Sequence, residues 1–394
     1  MRTTVYRSLA TAVVMLCCNT FTSAQTPLKI GFMGELSGPQ GAVGKEQYDG
    51  LMLLVERNGG KLGGVPVQII KEDTQLKPDV ANQVARRLVE REKVPIITGV
   101  SFSNIMMAVH KYITDQEVFL IGSNAGPSQI AGSQCSSYQF ITSWQGDQAA
   151  EAVGKYAAEK GYKRVFLLAP NYQAGKDTLA GFKRYYKSDV VDEVYTSLTQ
   201  LDFSAELSQV AAAKPDAVFA FFPGGLGVSF AKQYNQAGLM KSTPLLSAFM
   251  ADAITLPSLG DSAIGMVSGN FWAPDFDNPS SKNFVDEFER KYNRIPSNYA
   301  AQSYDAAQLL DSAIAQVKGD VSNKKAFMSA LKSANFKSVR GNFKFNNNNF
   351  PIQDMHILEV AKDGKGRVSL KTVATPFKSY SDAYHDKCAL KTNG

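Results

Sequence analysis

Five short stretches of the chain combine glycine with hydroxyl and amide side chains. They are Gly34 to Gly44 (GELSGPQGAVG), Ser101-Phe102-Ser103-Asn104, Gly122-Ser123-Asn124-Ala125-Gly126, Pro170 to Gly175 (PNYQAG) and Pro223-Gly224-Gly225-Leu226-Gly227. Where such residues open a helix, side-chain donors and backbone N–H groups converge and glycine lets the backbone approach, which suits a carboxylate. Taken singly, each stretch also reads as an ordinary N-cap or turn. The first follows the apolar run Leu28 to Met33 and precedes a helical stretch, Lys45 to Arg57, so it must be tested as a nucleotide cradle. Its glycines at 34, 38, 41 and 44 have neither GxGxxG spacing nor a GK[ST] ending, and Gly44-Lys45-Glu46 lacks the hydroxyl that would ligate magnesium.

Catalytic chemistry finds no constellation. The chain has no GxSxG elbow, no HExxH and no paired-histidine array, and no histidine has a local signal placing it beside Ser101 or Ser103. His110, His356 and His385 lie far apart, without ligand spacing for zinc, and no cofactor is expected. Asp252 and Asp305 read as a cap and a helix-face acid rather than general bases. The expectation is a binder of small molecules, not an enzyme.

The elements that would carry these loops alternate. Apolar β-rich runs (65–70, 94–99, 118–122) are separated by amphipathic stretches, Pro78 to Glu92 and Asn104 to Asp115, and Val80, Val84, Leu88 and Val89 share one helix face. After Ser143 to Gly146 the rhythm restarts with helix 147–160, strand 164–169, helix 176–187, strand VVDEVY, helix 204–214 and strand 216–222. Such alternation predicts parallel strands joined by crossover helices, in an α/β fold with two successive units. Residues 280–333 read as mainly helical and 343–374 as short strands around Asp363-Gly364-Lys365. The helices are expected to cover the first sheet and the strands to join the second. In open parallel sheets, ligands sit beyond the carboxyl ends of the strands, where all five loops fall.

Arg2 and Arg7, an apolar core from Leu9 to Cys18 and then Thr22-Ser23-Ala24 have the zones of a secretory signal, cleaved after Ala24. Its core is too short to span a membrane. Leu16 occupies the place before Cys17 where lipoprotein processing wants a small residue, so lipidation is not expected. Removing 1–24 lowers the formal charge from +6 to +4, without a basic block or arginine-aromatic stripe, and no nucleic-acid partner is expected. Cys135 and Cys388 then remain, and an even count in an oxidising compartment favours one disulfide over a metal site.

With those residues in view, the chain resembles the exported solute-binding proteins of ABC importers, in the branched-chain amino acid group with the type I periplasmic binding fold. The resemblance rests on KIGFMGELSGPQGAVGKEQYDGLMLLVERNGG, LGGVPVQIIKEDTQLKPDVA, FLIGSNAG, VFLLAPNYQAGKDTLAGFK and PSNYAAQSYDAAQLL, in that order. It implies two Rossmann-like lobes joined by three hinge crossings, near Ser143 to Gly146, Trp272 to Pro274 and Asn346 to Phe350. The implied division is lobe I at 25–144 plus 274–347, lobe II at 145–273 plus 348–376, and a C-terminal tail at 377–394. Gly34 to Gly44 is then expected to line the first-lobe side of the cleft.

The resemblance implies carboxylate contacts from Ser103 and the Asn124-Ala125-Gly126 backbone, and Ser101 is expected beside them as a further ligand contact. Two positions depart from the amino-acid binders: Ala174 stands where they carry a tyrosine, and Phe249-Met250-Ala251-Asp252 offers at best Asp252 in place of their ammonium-pairing glutamate. The SFSNIMMAV and SNAGPS segments resemble the subgroup binding aromatic acids such as benzoate or coumarate derivatives. The further expected contacts are Phe102, Asn171, Tyr172, Phe222, Met250, Asp252 and Tyr299, with Phe221, alternating opposite Phe222, assigned to the core. The implied role is a periplasmic monomer that delivers a small carboxylate, preferably an aromatic acid, to an importer's membrane permease. A branched-chain or other apolar amino acid, and a free ligand-sensing subunit, stay open as alternatives.

Overall fold

The computed structural model describes residues 26–390. The expected export signal lies outside them. The first α/β unit runs β1 (Leu28–Gly34), α1 (Gly41–Arg57), β2 (Lys61–Leu62), β3 (Val65–Asp73), α2 (Pro78–Arg86, continued by a π-helical turn Arg87–Arg91), β4 (Ile96–Gly99), α3 (Ser103–Asp115), β5 (Phe119–Gly122), α4 (Ser128–Ala131) and β6 (Gln139–Ile141). The second runs α5 (Gln148–Glu159), β7 (Arg164–Pro170), α6 (Gln173–Tyr185), β8 (Asp189–Thr196), α7 (Ser204–Ala213), β9 (Ala217–Ala220), α8 (Gly225–Gln236), α9 (Leu239–Ser242), β10 (Leu245–Ala248), α10 (Leu256–Leu259) and β11 (Val267–Asn270). Then follow α11 (Pro279–Tyr292), α12 (Asn298–Gln316), α13 (Lys324–Ser333), β12 (Lys344–Phe345), β13 (Pro351–Lys362) and β14 (Val368–Tyr380).

The strands form two sheets, ordered β2-β3-β1-β4-β5-β6 and β12-β13-β11-β10-β9-β7-β8, with β14 paired to β13. β1, β3, β4, β5 and β6 are mutually parallel, as are β7 to β11. Strands covered by helices on both faces need apolar side chains on both, which is why Ile30, Phe32 and Met33 are all fully buried in β1. This is the expected two-unit α/β fold. The last segment differs in detail: instead of several short strands, β13 and β14 form one long antiparallel hairpin on the edge of the second sheet. β14 continues to Tyr380, so the tail begins there and not at 377. The C-terminal helices return to the first sheet, where Phe327 of α13 meets Phe119 edge to face at 4.9 Å.

The chain passes between the two sheets three times: from β6 to α5, from β11 to α11, and from α13 to β13. Arg340 gathers all three passages. Its guanidinium donates to the Ser143 carbonyl at 3.0 Å and to that of Thr142 in the first, to Gln353 Oε1 at 2.7 Å beside the third, and lies 4.8 Å from the ring centre of Phe271 in the second. Its counterion is Asp305 of α12, 3.0 Å from the guanidinium and fully buried. Burial alone pushes the Asp305 carboxyl up and the Arg340 guanidinium down, and each charge opposes the other's shift.

Cys135, in the loop after α4, is bonded to Cys388 in the tail, their Cα atoms 5.7 Å apart. The tail also accepts Asn348 Nδ2 on Asp382 at 2.9 Å and donates from the Tyr384 hydroxyl to Asp147 at 2.8 Å. It therefore straps the third passage and the start of α5 to the first unit.

Replacing Arg340 with leucine strands the Asp305 charge in the interior. The expected cost is about 3–5 kcal/mol of unfolding free energy, the range for breaking a buried ion pair from one side. Urea unfolding followed by tryptophan fluorescence measures it; an unchanged midpoint would show that the knot carries no stability.

Candidate functional site

The cleft is built where strands end. β4 stops at Gly99, and Val100 then takes φ 59°, a left-handed conformation that costs a β-branched residue and persists only where packing enforces it. That turn aims Ser101-Phe102-Ser103 across the sheet's edge. Phe249, directly after β10, does the same on the second sheet with φ 58°. α3 opens at Ser103 after Phe102, and α6 opens at Gln173 after Tyr172; neither preceding side chain caps the first-turn N–H groups. Two helix N-termini, each with partial positive charge, thus face one another across the gap.

Ser101 to Ser103, Asn124 to Pro127 and Tyr299 line the first-sheet side, and Trp144 and Gly146 come from the first passage. Tyr172, Ala174, Asp177, Phe221, Pro223 and Phe249 line the other side. The space between is narrow, a cavity of ≈ 20 Å³. Bonds across the gap explain the closeness. Ala174 N donates to Ser103 Oγ at 2.8 Å, and Asp177 accepts both the N–H and the hydroxyl of Ser128, at 3.0 and 2.8 Å. At the rim, Gly225 N donates to the Pro39 carbonyl at 3.2 Å and Gln40 Nε2 to that of Leu198 at 3.1 Å. A Cβ on Gly225 would come within 2.5 Å of that Pro39 oxygen, so only glycine allows this approach.

Eight of the expected contact residues therefore come together: Ser101, Phe102, Ser103, Asn124, Ala125, Gly126, Tyr172 and Tyr299. Asn124 is there to shape the loop, since its Nδ2 donates to the Ser101 carbonyl and its Oδ1 accepts from Gln302. Four expected contacts lie elsewhere. Asn171 is exposed, its N–H spent on the Thr196 carbonyl. Phe222 is fully buried between Phe203 and Phe230, 4.9 and 4.7 Å away, and Met250 packs in the same core. Asp252 turns back to accept the N–H groups of Ile254 and Thr255 at 2.9 and 2.8 Å.

The alternation of Phe221 and Phe222 is real, but the faces are exchanged. Phe221 shares the face of Phe219 and emerges at the cleft, with its ring stacked 6.4 Å from that of Tyr172. The glycine-rich loop at 34–44 is a second correction, because none of its residues is among those lining the cavity and it acts as a clasp on the opposite unit. Sequence reasoning also missed Trp144, whose presence inside a crossing was its one signal; its Nε1 is buried without a hydrogen-bond partner among the described residues.

No lysine or arginine is among the described lining residues, so positive potential comes from backbone dipoles alone. Burial pushes the phenols of Tyr172 and Tyr299 up and keeps them neutral donors. Burial, then the charge of Asp147, raises the Asp177 carboxyl to about 6. Its oxygens are already engaged by Ser128 and by Gln173 Nε2.

Over residues 27–365 the chain matches the periplasmic binding protein family, to which it belongs. It is 28% identical over 359 residues to the Leu/Ile/Val-binding protein homolog 6 of Brucella melitensis, an alignment covering 88% of this chain and 91% of that protein. A solute-binding protein of an ABC transporter from R. palustris, solved in complex with benzoate, superposes with a TM-score of 0.88 at 30% identity, covering 93% of this chain and all of that one. Another from Rhodopseudomonas palustris BisB5, in complex with 3,4-dihydroxybenzoic acid, gives 0.84 at 28% identity, with 91% and 99% covered. The chain is an ABC-type solute-binding protein with the type I periplasmic binding fold, and the family serves transport rather than catalysis.

Because the folded-state pKa of Asp177 lies above its ordinary 3.8, the folded protein holds this proton more tightly than the unfolded chain. That contribution is complete below about pH 4 and is lost as pH rises through about 6, amounting to up to about 3 kcal/mol. Melting temperatures from pH 4 to pH 8 should therefore decline less steeply in Asp177→Asn than in the unaltered protein. Parallel curves would remove Asp177 from the linkage.

Proposed function

We propose that the chain captures an aromatic carboxylate of the benzoate class between two closing lobes in the periplasm and delivers it to an importer's membrane permease. The observation that carries this reading is the meeting of the α3 and α6 N-termini at Ser103. The Ser103 hydroxyl accepts from Ala174 and keeps its hydrogen for a ligand oxygen, and the first-turn N–H groups supply the rest of a carboxylate site. Phe102, Trp144, Tyr172, Phe221 and Phe249 form the surrounding apolar box. The lobes of this reading are 25–144 with 274–347, and 145–273 with 348–380.

The names of the Brucella relatives favour a second reading, a branched-chain amino acid. An α-ammonium needs a free acid in the cleft, however, and neither candidate supplies one. Asp177 is bonded across the gap, and Asp252, with its Oδ1 held in its own turn, is not among the residues lining the cleft. A buried ammonium without a partner is heavily penalised.

Isothermal titration of the mature protein with benzoate, 4-hydroxybenzoate and leucine separates the readings. Saturable binding of the aromatic acids and no heat from leucine is the expected result; leucine binding with silence from both acids overturns it. Ser103→Ala should weaken benzoate by about 1–3 kcal/mol through loss of a donor to a charged group. Phe221→Ala should weaken it through lost ring contact, by about 0.5–1.5 kcal/mol beyond the area term.

A further inference from the structure

A larger cavity, ≈ 490 Å³ by the same measure as the cleft, lies beside the second passage between the sheets. The start of α12 separates the two: Asn298 lines this groove and Tyr299, the next residue, lines the cleft. Its apolar walls come from both units, with Ile295 and Pro296 in the turn before α12 and Leu256, Trp272, Val368 and Leu370 opposite.

Three of the residues lining the groove carry buried side-chain atoms that have no hydrogen-bond partner among the described residues: Asp252 Oδ2, Asn270 Nδ2, and both amide atoms of Asn298. All three residues are between 0 and 3% exposed. Their other atoms are spent locally, Asp252 Oδ1 on Ile254 and Thr255, and Asn270 Oδ1 on the Phe271 N–H. Buried polar atoms are normally paired, so a cluster of unpaired ones along an apolar groove points to an external partner.

The inventory defines that partner. Two amide nitrogens offer donors, while the Asp252 carboxyl and the Asn298 carbonyl offer acceptors. The bordering arginines are committed, Arg294 to Glu46 and Asp49 and Arg367 to Asp363 and Glu289, which leaves no free cation for an anionic head among the described lining residues. A carboxylate would answer the amide donors but leave the Asn298 carbonyl unanswered, and would meet the Asp252 carboxyl, which burial pushes up to about 7; an ammonium would answer only the acceptors. A carboxamide answers both, through its carbonyl oxygen and its NH₂ group. We propose that this groove is a second ligand site, taking a small molecule with an apolar body and a carboxamide head. An occupant touches both units and so stabilises the closed arrangement.

Hexanamide is the probe, titrated into the mature protein by isothermal calorimetry, with hexanoate as the charged counterpart. Saturable hexanamide binding, at least tenfold tighter than hexanoate, is expected. Asn298→Leu and, independently, Ile295→Trp, which fills the groove from a half-exposed wall position, should each weaken it at least tenfold. Phe221→Ala, which alters only the cleft, should leave it within twofold. No saturable hexanamide binding to the unaltered protein overturns the proposal. So does binding that survives Ile295→Trp and is lost in Phe221→Ala, which places the probe in the cleft. If Asn298→Leu fails to fold, Ile295→Trp alone decides. None of these outcomes depends on what the cleft itself binds.

Discussion

The Arg340–Asp305 pair is the constraint around which the molecule is arranged. A guanidinium with almost no exposure survives in the interior only if its donors are answered, and three of its answers are the passages that connect the two sheets. Because the partner acid sits on α12, the same pair fixes that helix against the hinge. α12 in turn carries Tyr299 to the cleft and Gln302 to the Asn124 carboxamide. The hinge and the binding loops are therefore one hydrogen-bonded body, and a shift in one is felt in the other.

Closure uses contacts of a different kind. The bonds across the gap are few, neutral or singly charged, and made largely by backbone: Ala174 to Ser103, Ser128 to Asp177, Gly225 to Pro39. Individual bonds of this sort contribute about 0.5–1.5 kcal/mol net, more where a charge takes part. In the proposed function, such a set would hold the two units together when a ligand adds its own contacts and let them part when it leaves. The knot at the hinge is a buried ion pair, and the clasp at the rim is made of neutral hydrogen bonds.

How far the sequence foretold this depends on the range of the interaction. β1 and β7 begin within a residue of their apolar runs, because a strand covered on both faces must be apolar nearly throughout. Helix starts were harder to read. α1 begins at Gly41 and not Lys45, and α6 at Gln173 and not Lys176, since glycines of poor helix propensity are held helical by close packing: a Cβ on Gly44 would lie 2.0 Å from the Glu35 carbonyl. The carboxylate loops at 101–103 and 124–126 were legible as local composition. The aromatic wall was not, because Phe221 and Phe222, just beyond β9, differ only in which one faces the cleft, and Trp144 owes its place to the crossing. Arg340 and Asp305, 35 positions apart, carry no local sign of their pairing.

On the proposed reading, the absence of a formal positive charge among the described cleft residues bears on both selectivity and release. Helix N-termini and a hydroxyl favour a carboxylate through fixed dipoles, which act at short range and cost no reorganisation of flexible side chains. A lysine would bind the anion more strongly but would also have to be separated from it during transfer. Selectivity between a benzoate and an α-amino acid then falls to what the walls withhold. Asp177 and Asp252 keep their oxygens engaged or turned away, so an ammonium entering this box would meet aromatic faces but no free carboxylate. Discrimination by an unanswered polar group is steeper than discrimination by shape, because a misfit methylene costs far less than a buried unpaired charge.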